Sequence, residues 1–491
     1  MFNKAEYIMN YETIIGLEVH AQLLTKSKMY CRCSADYASA PPNTHVCPVC
    51  LGMPGVLPVI NKQAVEYTIM TALALNCTIS EYTKFDRKNY PYPDLMKGYQ
   101  ISQYDAPISH NGWLTIEIDG QTKKAGITRV HLEEDVAKMI HYTSNGESYS
   151  LVDVNRAGAP LMEIVGEPDL RSPEEARQYL IKLRTILQFL GVSTGNMEEG
   201  SFRCDANISI RPEGSPKSLA KVEVKNMNSF KAVYHAMEYE AKRQRKVAEE
   251  GKKLVQETMG WVEEEGKTIS QRSKEYAHDY RYFPEPDLPP LILSREWVEK
   301  IKAKLPELPE ARRDRFMTEY SLPLYDASLL TSSKALADYF EECYKGNKEL
   351  PPKEVGNWIL GEVSRIMNAS NIDIDEFRKK VSPDQLCQLI KYSQAIINVA
   401  TAKSVLGEMY ATAKEAAKVI EEKGLKQISD TDAIEAEIVA TIKNNPQALA
   451  DYKAGKAQAL KFLVGQVMKA TKGRANPQLV NELLKKRLEE G

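Results

Sequence analysis

Four of the eight cysteines in this 491-residue chain lie close together in the sequence. They form two short pairs: Cys31 with Cys33, and Cys47 with Cys50. Four thiolates suit tetrahedral Zn²⁺ and leave no position for water, so this spacing predicts a closed, structural zinc site within residues 31–50. A glycine at position 52 would permit the tight turn of a metal-binding knuckle. The alternative is a set of reduced thiols without metal.

A second group of candidate residues lies on segments that alternate between apolar and polar residues. In Gly16–Leu23, Ile127–Glu134 and Phe202–Arg211, a β-strand would place apolar side chains on one face and polar side chains on the other. The polar faces carry acids, imidazoles and guanidinium groups: Glu18, His20, Arg129, His131, Glu133, Arg203 and Asp205. Carboxylates are preferred Mg²⁺ ligands and cations balance phosphate charge, so a sheet that gathers these faces could bind both. An ordinary solvated sheet face is the alternative.

Composition restricts the class of protein. Lys and Arg number 65 against 67 Asp and Glu, a net charge of −2, which argues against a nucleic-acid-binding surface over the whole chain. The 27% charged and 43% hydrophobic residues argue against disorder. No segment approaches the ~20 apolar residues of a membrane helix and the N-terminus does not resemble a signal peptide, so we expect a soluble cytoplasmic protein that does not bind membranes.

The length predicts two or three domains. Sequence up to about residue 290 mixes short alternating segments with Gly, Pro and Asn, whereas later sequence is charged and helix-periodic. The proline-rich segment Pro284–Pro290 marks the change. We therefore predict an α+β fold with three domains: a mixed domain over 1–295, a small helical domain over 296–350 and a helical tail over 351–491.

Three local signals are clear. Ser172-Pro173 predicts the start of a helix that ends at Gly191. A second helix is predicted from about Ser229 to Glu250. Asp119-Gly120, which lies between two alternating segments, predicts a β-hairpin.

The C-terminal segment is strongly basic. Between Lys453 and Arg487 there are nine Lys or Arg residues and one acid, a local charge of +8. In a chain that is nearly neutral overall, this segregation predicts contact with the phosphate backbone of a nucleic acid. The candidate contacts are Lys469, Lys472 and Arg474. A basic face that serves only solubility is the alternative.

Seven short motifs follow one another over most of the chain: Gly16–His20, Pro54–Pro58, Phe85–Tyr90, Tyr99–Gln103, His131–Asp135, Arg203–Ser209 and Asp279–Asp287. Together they resemble the GatB/GatE family, the B-type subunits of the aspartyl/glutamyl-tRNA(Asn/Gln) amidotransferases. The segment Val464–Leu488 resembles the YqeY-type tail domain of that family.

This resemblance implies a cradle-like, mainly antiparallel β-sheet domain with flanking helices, followed by all-helical domains. It implies a ligase that forms carbon–nitrogen bonds with glutamine as amido donor. ATP phosphorylates the side-chain carboxylate of Glu or Asp misacylated on tRNA(Gln) or tRNA(Asn), and ammonia displaces the phosphate. The implied partners are a glutamine-hydrolysing amidase (glutaminase) subunit and a third, small subunit, in a heterotrimer. The chain itself contains no Gly-x-Ser-x-Gly nucleophile elbow and no glycine- and serine-rich amidase stretch.

The resemblance also implies roles for individual residues. The Mg²⁺-binding positions of the family correspond to Glu18, His20 and Glu134, to which we add Glu133 and Asp205. Lys88 matches a lysine that lines or gates the ammonia path, and Arg203 is a candidate for contact with the phosphoryl group; with Glu134 they form the predicted catalytic set. Strict alternation places Glu133 and Glu134 on opposite faces unless the strand ends or bulges there. Tyr280 and Arg281 lie in a family motif without an assigned role.

Two other functions stay open from the residues alone. One is a free-standing ATP-dependent ligase for a small carboxylic acid. The other is a zinc-stabilised, non-catalytic tRNA-binding scaffold. The sequence does not decide whether tRNA(Gln), tRNA(Asn) or both are used.

Overall fold

The computed structural model describes residues 10–273, 279–425, 431–453, 456–471, 475 and 477–490. The chain divides into two compact units, Met1–Pro309 and Glu310–Gly491. Among the helices of the described residues, none is both long and apolar enough to span a membrane.

Sixteen strands are found in the described residues of the first unit. They are β1 Tyr11–Gln22, β2 Thr78–Ile79, β3 Tyr82–Thr83, β4 Asp86–Asn89, β5 Tyr99–Ser102, β6 Ser109–Ile118, β7 Gln121–Glu134, β8 Lys138–Ser144, β9 Glu147–Asp153, β10 Pro160–Gly166, β11 Phe202–Pro212, β12 Val222–Lys225, β13 Glu257–Val262, β14 Lys267–Ser273, β15 Phe283–Pro284 and β16 Leu291–Ile292.

The helices of the first unit are α1 Lys62–Ala74, α2 Pro173–Leu190, α3 Phe230–Glu249 and α4 Arg295–Lys302. A short 3₁₀ helix spans Val154–Arg156. From the boundary onward follow α5 Pro309–Glu319, α6 Leu324–Leu330, α7 Lys334–Gly346, α8 Pro352–Trp358, α9 Ser364–Ser370, α10 Ile374–Arg378, α11 Pro383–Ala395, α12 Val399–Thr412, α13 Ala416–Glu422, α14 Thr431–Asn444, α15 Pro446–Lys453, α16 Ala457–Ala470 and α17 Pro477–Glu490. A π-helical turn, Ile359–Val363, joins α8 to α9.

A nine-stranded sheet forms the centre of the first unit. Its order is β14-β13-β12-β11-β1-β10-β7-β6-β2. Every neighbouring pair is antiparallel except β12 and β13. Helices α2 and α3 pack against each other and against strands of this sheet, and their apolar stripes join one core with it. The predicted α+β class with a mainly antiparallel sheet and a helical C-terminal half is confirmed.

The local signals are confirmed as well. The Ser172 hydroxyl accepts a hydrogen bond from the Glu175 backbone N–H at 3.1 Å, which caps α2. Gly191 ends this helix with φ of +67°. Asp119 and Gly120 join β6 to β7 with φ of +51° and +77°, as a type I′ hairpin turn requires.

Two apolar cores are found among the described residues of the second unit. One draws on residues from Phe316 to Ile420 and continues across position 350, where the sequence predicted a domain boundary. The other draws on residues from Ile434 to Leu488. In the first unit, α4 packs against α1, so the compact unit extends beyond residue 295. The division into three domains stays a prediction.

Candidate active site

Four adjacent strands bring a row of charged side chains into register. On the path β11–β1–β10–β7, Arg203 lies opposite His20, His20 opposite Glu163, and Glu163 opposite His131. Directly opposed residues on neighbouring strands share one face of the sheet. The structure therefore joins into one surface the polar faces that alternation predicted separately for β1, β7 and β11.

His20, Glu133 and Glu163 converge on this surface. The Nε2 atom of His20 lies 3.6 Å from Glu133 Oε1 and 3.6 Å from Glu163 Oε2. One potential ligand atom from each residue lies within 4.8 Å of the others. Behind them, His131 Nε2 is 3.1 Å from Glu163 Oε2. One imidazole and two carboxylates at this spacing could hold a divalent cation.

The electrostatics of the cluster indicate a demand for positive charge. Burial and the neighbouring charge of Glu163 raise the pKa of Glu133. Burial opposes protonation of His20, yet the Glu163 carboxylate 3.6 Å away and the charge of Glu133 raise its pKa to about 9. Without a metal, a proton on His20 supplies part of the charge that a cation would supply, so metal and proton would compete there.

Glu18 and Asp205 lie on the same face but outside this cluster. They oppose each other across β1 and β11. Glu18 accepts a hydrogen bond from Asn207 Nδ2 at 2.7 Å, and Asp205 forms an ion pair with Lys225. Both carboxylates are thus paired with side chains of β11 and β12.

Glu134 lies on the opposite face of β7. The register between β7 and β10 runs without a bulge through Glu133 and Glu134, so alternation separates the two side chains. Glu134 forms an ion pair with Lys97 and accepts a hydrogen bond from the Ile101 backbone N–H at 3.1 Å. It lines a cavity of about 220 Å³ together with Tyr30, Lys97, Tyr99 and the loop that follows Cys50. The structure does not bring Glu134 to the cluster.

Arg203 lies on the charged surface opposite His20. Arg203 Nη2 donates to Asp135 Oδ2 at 2.8 Å, and Asp135 also accepts from Gln22 Nε2 at 2.6 Å. The Arg203 side chain stays 36% exposed.

Lys88 lies on β4, on the same face as Ser102 of β5, whose hydroxyl donates to Glu133 Oε2 at 3.2 Å. The positive charge of Lys88 acts on Glu133 and partly offsets the rise in the pKa of that carboxyl.

Glu163 was missed by sequence reasoning. It is the single charged residue of β10, whose sequence is otherwise apolar apart from its terminal Gly166. Burying a lone carboxylate in an otherwise apolar strand costs free energy unless a cation or a hydrogen-bond donor pairs with it. The presence of Glu163 in such a strand was therefore the signal in the sequence that could have marked it as a site residue. Asp135 was part of a recognised motif but carried no assigned role; here it is buried and orients Arg203.

The four clustered cysteines form a closed group. One sulfur from each of Cys31, Cys33, Cys47 and Cys50 lies within 4.8 Å of the others. The Cys47 backbone N–H donates to Cys50 Sγ at 3.2 Å, the knuckle arrangement that the sequence predicted. Gly52 adopts φ of +66°, and a Cβ there would lie 3.0 Å from the Cα of Lys97. Four thiols in this arrangement fit a tetrahedral Zn²⁺ ion.

The basic tail is described in part. Lys469 is exposed in the last turn of α16. Lys472 and Arg474 lie outside the described residues.

A sheet face lined with a histidine, carboxylates and an arginine could bind an anionic substrate together with a metal ion. Comparison with protein families identifies the family of this chain. Residues 13–299 match the model described as GatB/GatE catalytic domain, and residues 338–488 match the model described as GatB domain. The chain belongs to the GatB/GatE family.

Curated relatives match over nearly the full length. A protein of Dehalococcoides mccartyi is 64% identical over 98% of this chain and 99% of its own length. A protein of Thermoanaerobacter pseudethanolicus is 55% identical over 98% of this chain and 100% of its own length. A protein of Carboxydothermus hydrogenoformans is 54% identical over 97% of this chain and 99% of its own length. Each is named as the B-type subunit of an aspartyl/glutamyl-tRNA(Asn/Gln) amidotransferase.

Proposed function

We propose that this chain is the subunit of a tRNA-dependent amidotransferase that activates and amidates the side chain of Glu or Asp carried by tRNA(Gln) or tRNA(Asn). The observation that carries this proposal is the His20, Glu133 and Glu163 cluster on the sheet face of a chain that belongs to the GatB/GatE family. The names of its full-length relatives supply the substrate class.

The chemistry explains why such a site is needed. A carboxylate does not react with ammonia at neutral pH because oxide would have to leave. An oxygen of the carboxylate attacks the γ-phosphorus of ATP, ADP departs, and a mixed anhydride forms. The nitrogen of ammonia then attacks the carbonyl carbon, and inorganic phosphate leaves with the bonding electrons. Both steps gather negative charge that the protein must balance.

His20, Glu133 and Glu163 are the residues that would hold Mg²⁺. When bound, the ion supplies charge neutralisation to the ATP phosphates. His131, 3.1 Å from Glu163, orients that carboxylate toward the cluster. Glu18 and Asp205 extend the acidic surface along β1 and β11, with Lys225 beside them.

Arg203 would contact the phosphoryl group. Its contact with the buried Asp135 fixes one guanidinium nitrogen, and the side chain as a whole stays 36% exposed. A phosphate oxygen is a suitable acceptor for a guanidinium N–H. Lys88, whose charge reaches Glu133, would serve the amidation step. We assign Glu134 to holding Lys97 in the wall of the 220 Å³ cavity.

The cysteine group would hold a structural Zn²⁺, supported by four sulfurs within 4.8 Å of one another. The tail, with Lys469 and its basic neighbours, would contact the tRNA backbone. Ammonia would come from a separate amidase subunit, and a third, small subunit would complete a heterotrimer. A cytoplasmic location stays a prediction.

The test is a reconstituted complex given each misacylated tRNA, ATP, Mg²⁺ and either glutamine or ammonia. We expect Gln-tRNA(Gln), Asn-tRNA(Asn) or both to form, with one ADP released per amide. Glu133→Gln should abolish amide formation while the partner still hydrolyses glutamine. Turnover of free glutamate without tRNA would instead support a free-standing ligase. Full activity of Glu133→Gln would support a non-catalytic scaffold.

A separate measurement tests the metal of the cysteine group. Metal analysis of the purified chain should find one Zn²⁺ that a chelator removes slowly. Cys47→Ser should lose it, and Cys77→Ser, which changes a buried cysteine outside the group, should keep it. A chain that is fully folded and free of zinc after expression with zinc would contradict the assignment.

A further inference from the structure

The segment Asp279–Asp287 is fastened tightly to strand β4. The Asn89 backbone N–H donates to the Tyr280 carbonyl at 2.9 Å, and Asn89 Nδ2 donates to the Arg281 carbonyl at 2.9 Å. Further along, Arg87 forms a two-pronged ion pair with the buried Glu285, at 2.7 and 2.8 Å. Charge-assisted, two-pronged contacts hold a backbone in one position. Tyr280 therefore has a defined place relative to β4.

The backbone of this segment is strained where it turns. Arg281 adopts φ of +44°, a left-handed conformation that a long side chain rarely takes. Such strain persists when the surroundings hold the chain on both sides and is concentrated at functional positions. The anchors at Asn89 and Arg87 lie on either side of this turn.

Tyr280 and Tyr90 form an aromatic corner around the Lys88 ammonium. Lys88 Nζ lies 5.0 Å from the centre of the Tyr280 ring and 5.7 Å from that of Tyr90. The two rings meet edge to face, with centres 5.8 Å apart and planes at 73°. The faces of aromatic rings attract a cation within about 6 Å. Both rings therefore contribute to holding the Lys88 ammonium.

The corner lies beside the charged cluster. Lys88 lies opposite Gln100 on the neighbouring strand β5, and Ser102, two residues further along β5 on the same face, donates a hydrogen bond to Glu133 Oε2 at 3.2 Å. The lysine is thus flanked by the rings and by the cluster. Within the aromatic corner, Lys88 and Tyr90 are two residues apart, whereas Tyr280 comes from a distant part of the sequence.

We propose that Tyr280 is a positioning residue that holds the Lys88 ammonium toward the Glu133 cluster through its ring. The proposal rests on the proposed function, in which Lys88 serves amidation. It assigns the role to the ring and not to the hydroxyl, because the ring centre is what the ammonium contacts at 5.0 Å. Replacing the ring with an aliphatic side chain frees the ammonium, and replacing Tyr with Phe does not.

The test is a double-mutant cycle in the reconstituted complex with ammonia as donor. Tyr280→Leu should lower kcat/KM for ammonia about tenfold, the effect of losing one strong cation–π contact. Tyr280→Phe should restore most of that loss. In a Lys88→Met background, Tyr280→Leu should have no further effect. Tyr325→Leu, at a tyrosine that is 73% exposed in the second unit, is the matched control.

Labelling measures the positioning without turnover. The rate at which acetic anhydride modifies Lys88, read by mass spectrometry, should rise in Tyr280→Leu but stay near the wild-type rate in Tyr280→Phe. Unchanged labelling, or an additive effect of Tyr280→Leu in the Lys88→Met background, would overturn the inference. Equal losses in the Phe and Leu variants would assign the role to the hydroxyl and overturn it too.

The same experiments separate the two levels of the proposal. If Lys88→Met keeps full activity while labelling responds to Tyr280→Leu, the role proposed for Lys88 in amidation fails and the positioning by Tyr280 stands. Circular dichroism and thermal unfolding of each variant establish that the loss is not one of folding.

Discussion

Two buried glutamates, one in each unit, lie in opposite electrostatic environments. Glu341 in α7 accepts hydrogen bonds from Arg312 Nη2 at 2.6 Å, Arg315 Nη1 at 2.7 Å and the Tyr320 hydroxyl at 2.9 Å. Burial opposes its ionisation, but these donors lower its pKa to about 2. Glu133 in β7 has a second carboxylate as its neighbour, and burial with that charge raises its pKa.

The difference separates a structural charge from a functional one. Two arginines and a tyrosine of the protein itself balance the charge of Glu341, so these contacts stabilise the second unit. At the Glu133 and Glu163 pair, His20 and His131 balance the charge of Glu163, and His20 and Lys88 only partly balance that of Glu133. Burial and the charge of Glu163 leave the pKa of Glu133 raised, and a carboxylate perturbed in this way is suited to a metal or a charged substrate.

The strongest test of this contrast is Glu163→Gln. We expect the rate of product formation to fall about 10³-fold. The neutral side chain of Gln holds a divalent cation less well than a carboxylate does, so the negative charge that develops on the substrate is no longer balanced. The free energy of unfolding should also fall at neutral pH, because burial opposes the Glu163 charge but His131 and His20 hold the pKa of that carboxyl well below its usual range, so its ionised form stabilises the fold. Steady-state kinetics and urea unfolding measure both quantities. Glu147→Gln, at an exposed glutamate of β9, is the control and should change neither.

The reciprocal change is Glu341→Gln. It should destabilise the second unit by about 3 kcal/mol, because two arginines and a tyrosine lose a common anionic partner. The folded fraction should keep the wild-type rate of amidation with ammonia. Urea unfolding measures the loss of stability, and steady-state kinetics in the absence of urea measure the rate of amidation. A loss of rate comparable to that of Glu163→Gln would erase the contrast.

The pH dependence of stability should have opposite signs at the two sites. Glu341 has a lowered pKa, so its stabilisation is present above its ordinary pKa of 4.5 and is lost as the pH falls toward about 2. Glu133 has a raised pKa, so its ionisation costs stability as the pH rises above 4.5. The free energies of unfolding of the wild type and Glu341→Gln should therefore become equal in acid. The free energy of unfolding of Glu133→Gln should rise relative to that of the wild type as the pH rises toward 7.

A buried cation extends the comparison to the cysteine group. Lys28 is 1% exposed, and its Nζ donates to the carbonyls of His45 at 2.8 Å and Val154 at 3.4 Å. Its charge lowers the pKa of Cys50, after the larger effect of the Cys31 hydrogen bond. A zinc ion with four thiolates carries a net charge of −2, which a nearby ammonium stabilises.

Lys28→Met should weaken zinc binding about 10- to 100-fold, the effect of losing an outer-shell partner. Competition with a chromophoric chelator measures it. Lys26→Met, which changes an exposed lysine two residues away, should leave the affinity unchanged. Equal affinity of the Lys28 and Lys26 variants would show that the buried ammonium does not act on the metal.

Sequence reasoning succeeded where the signal is local. The Ser172 cap and the Asp119-Gly120 turn each involve a few neighbouring residues that fix the local conformation. Alternation along β1 placed His20 on a polar face for the same reason. It did not include Glu163, whose partner residues come from strands that are distant in the chain.

By itself, the sequence indicated the family through its motifs, and it determined the class of fold and the polar faces of β1, β7 and β11, because side-chain period is a local property. Only the tertiary structure decided which faces meet. Strand order sets β10 between β1 and β7, which brings Glu163 to His20 and His131. The unbroken register through Glu133 and Glu134 sends one carboxylate to the cluster and the other to Lys97. Pairing between strands far apart in the chain depends on the whole core, and no single segment encodes it.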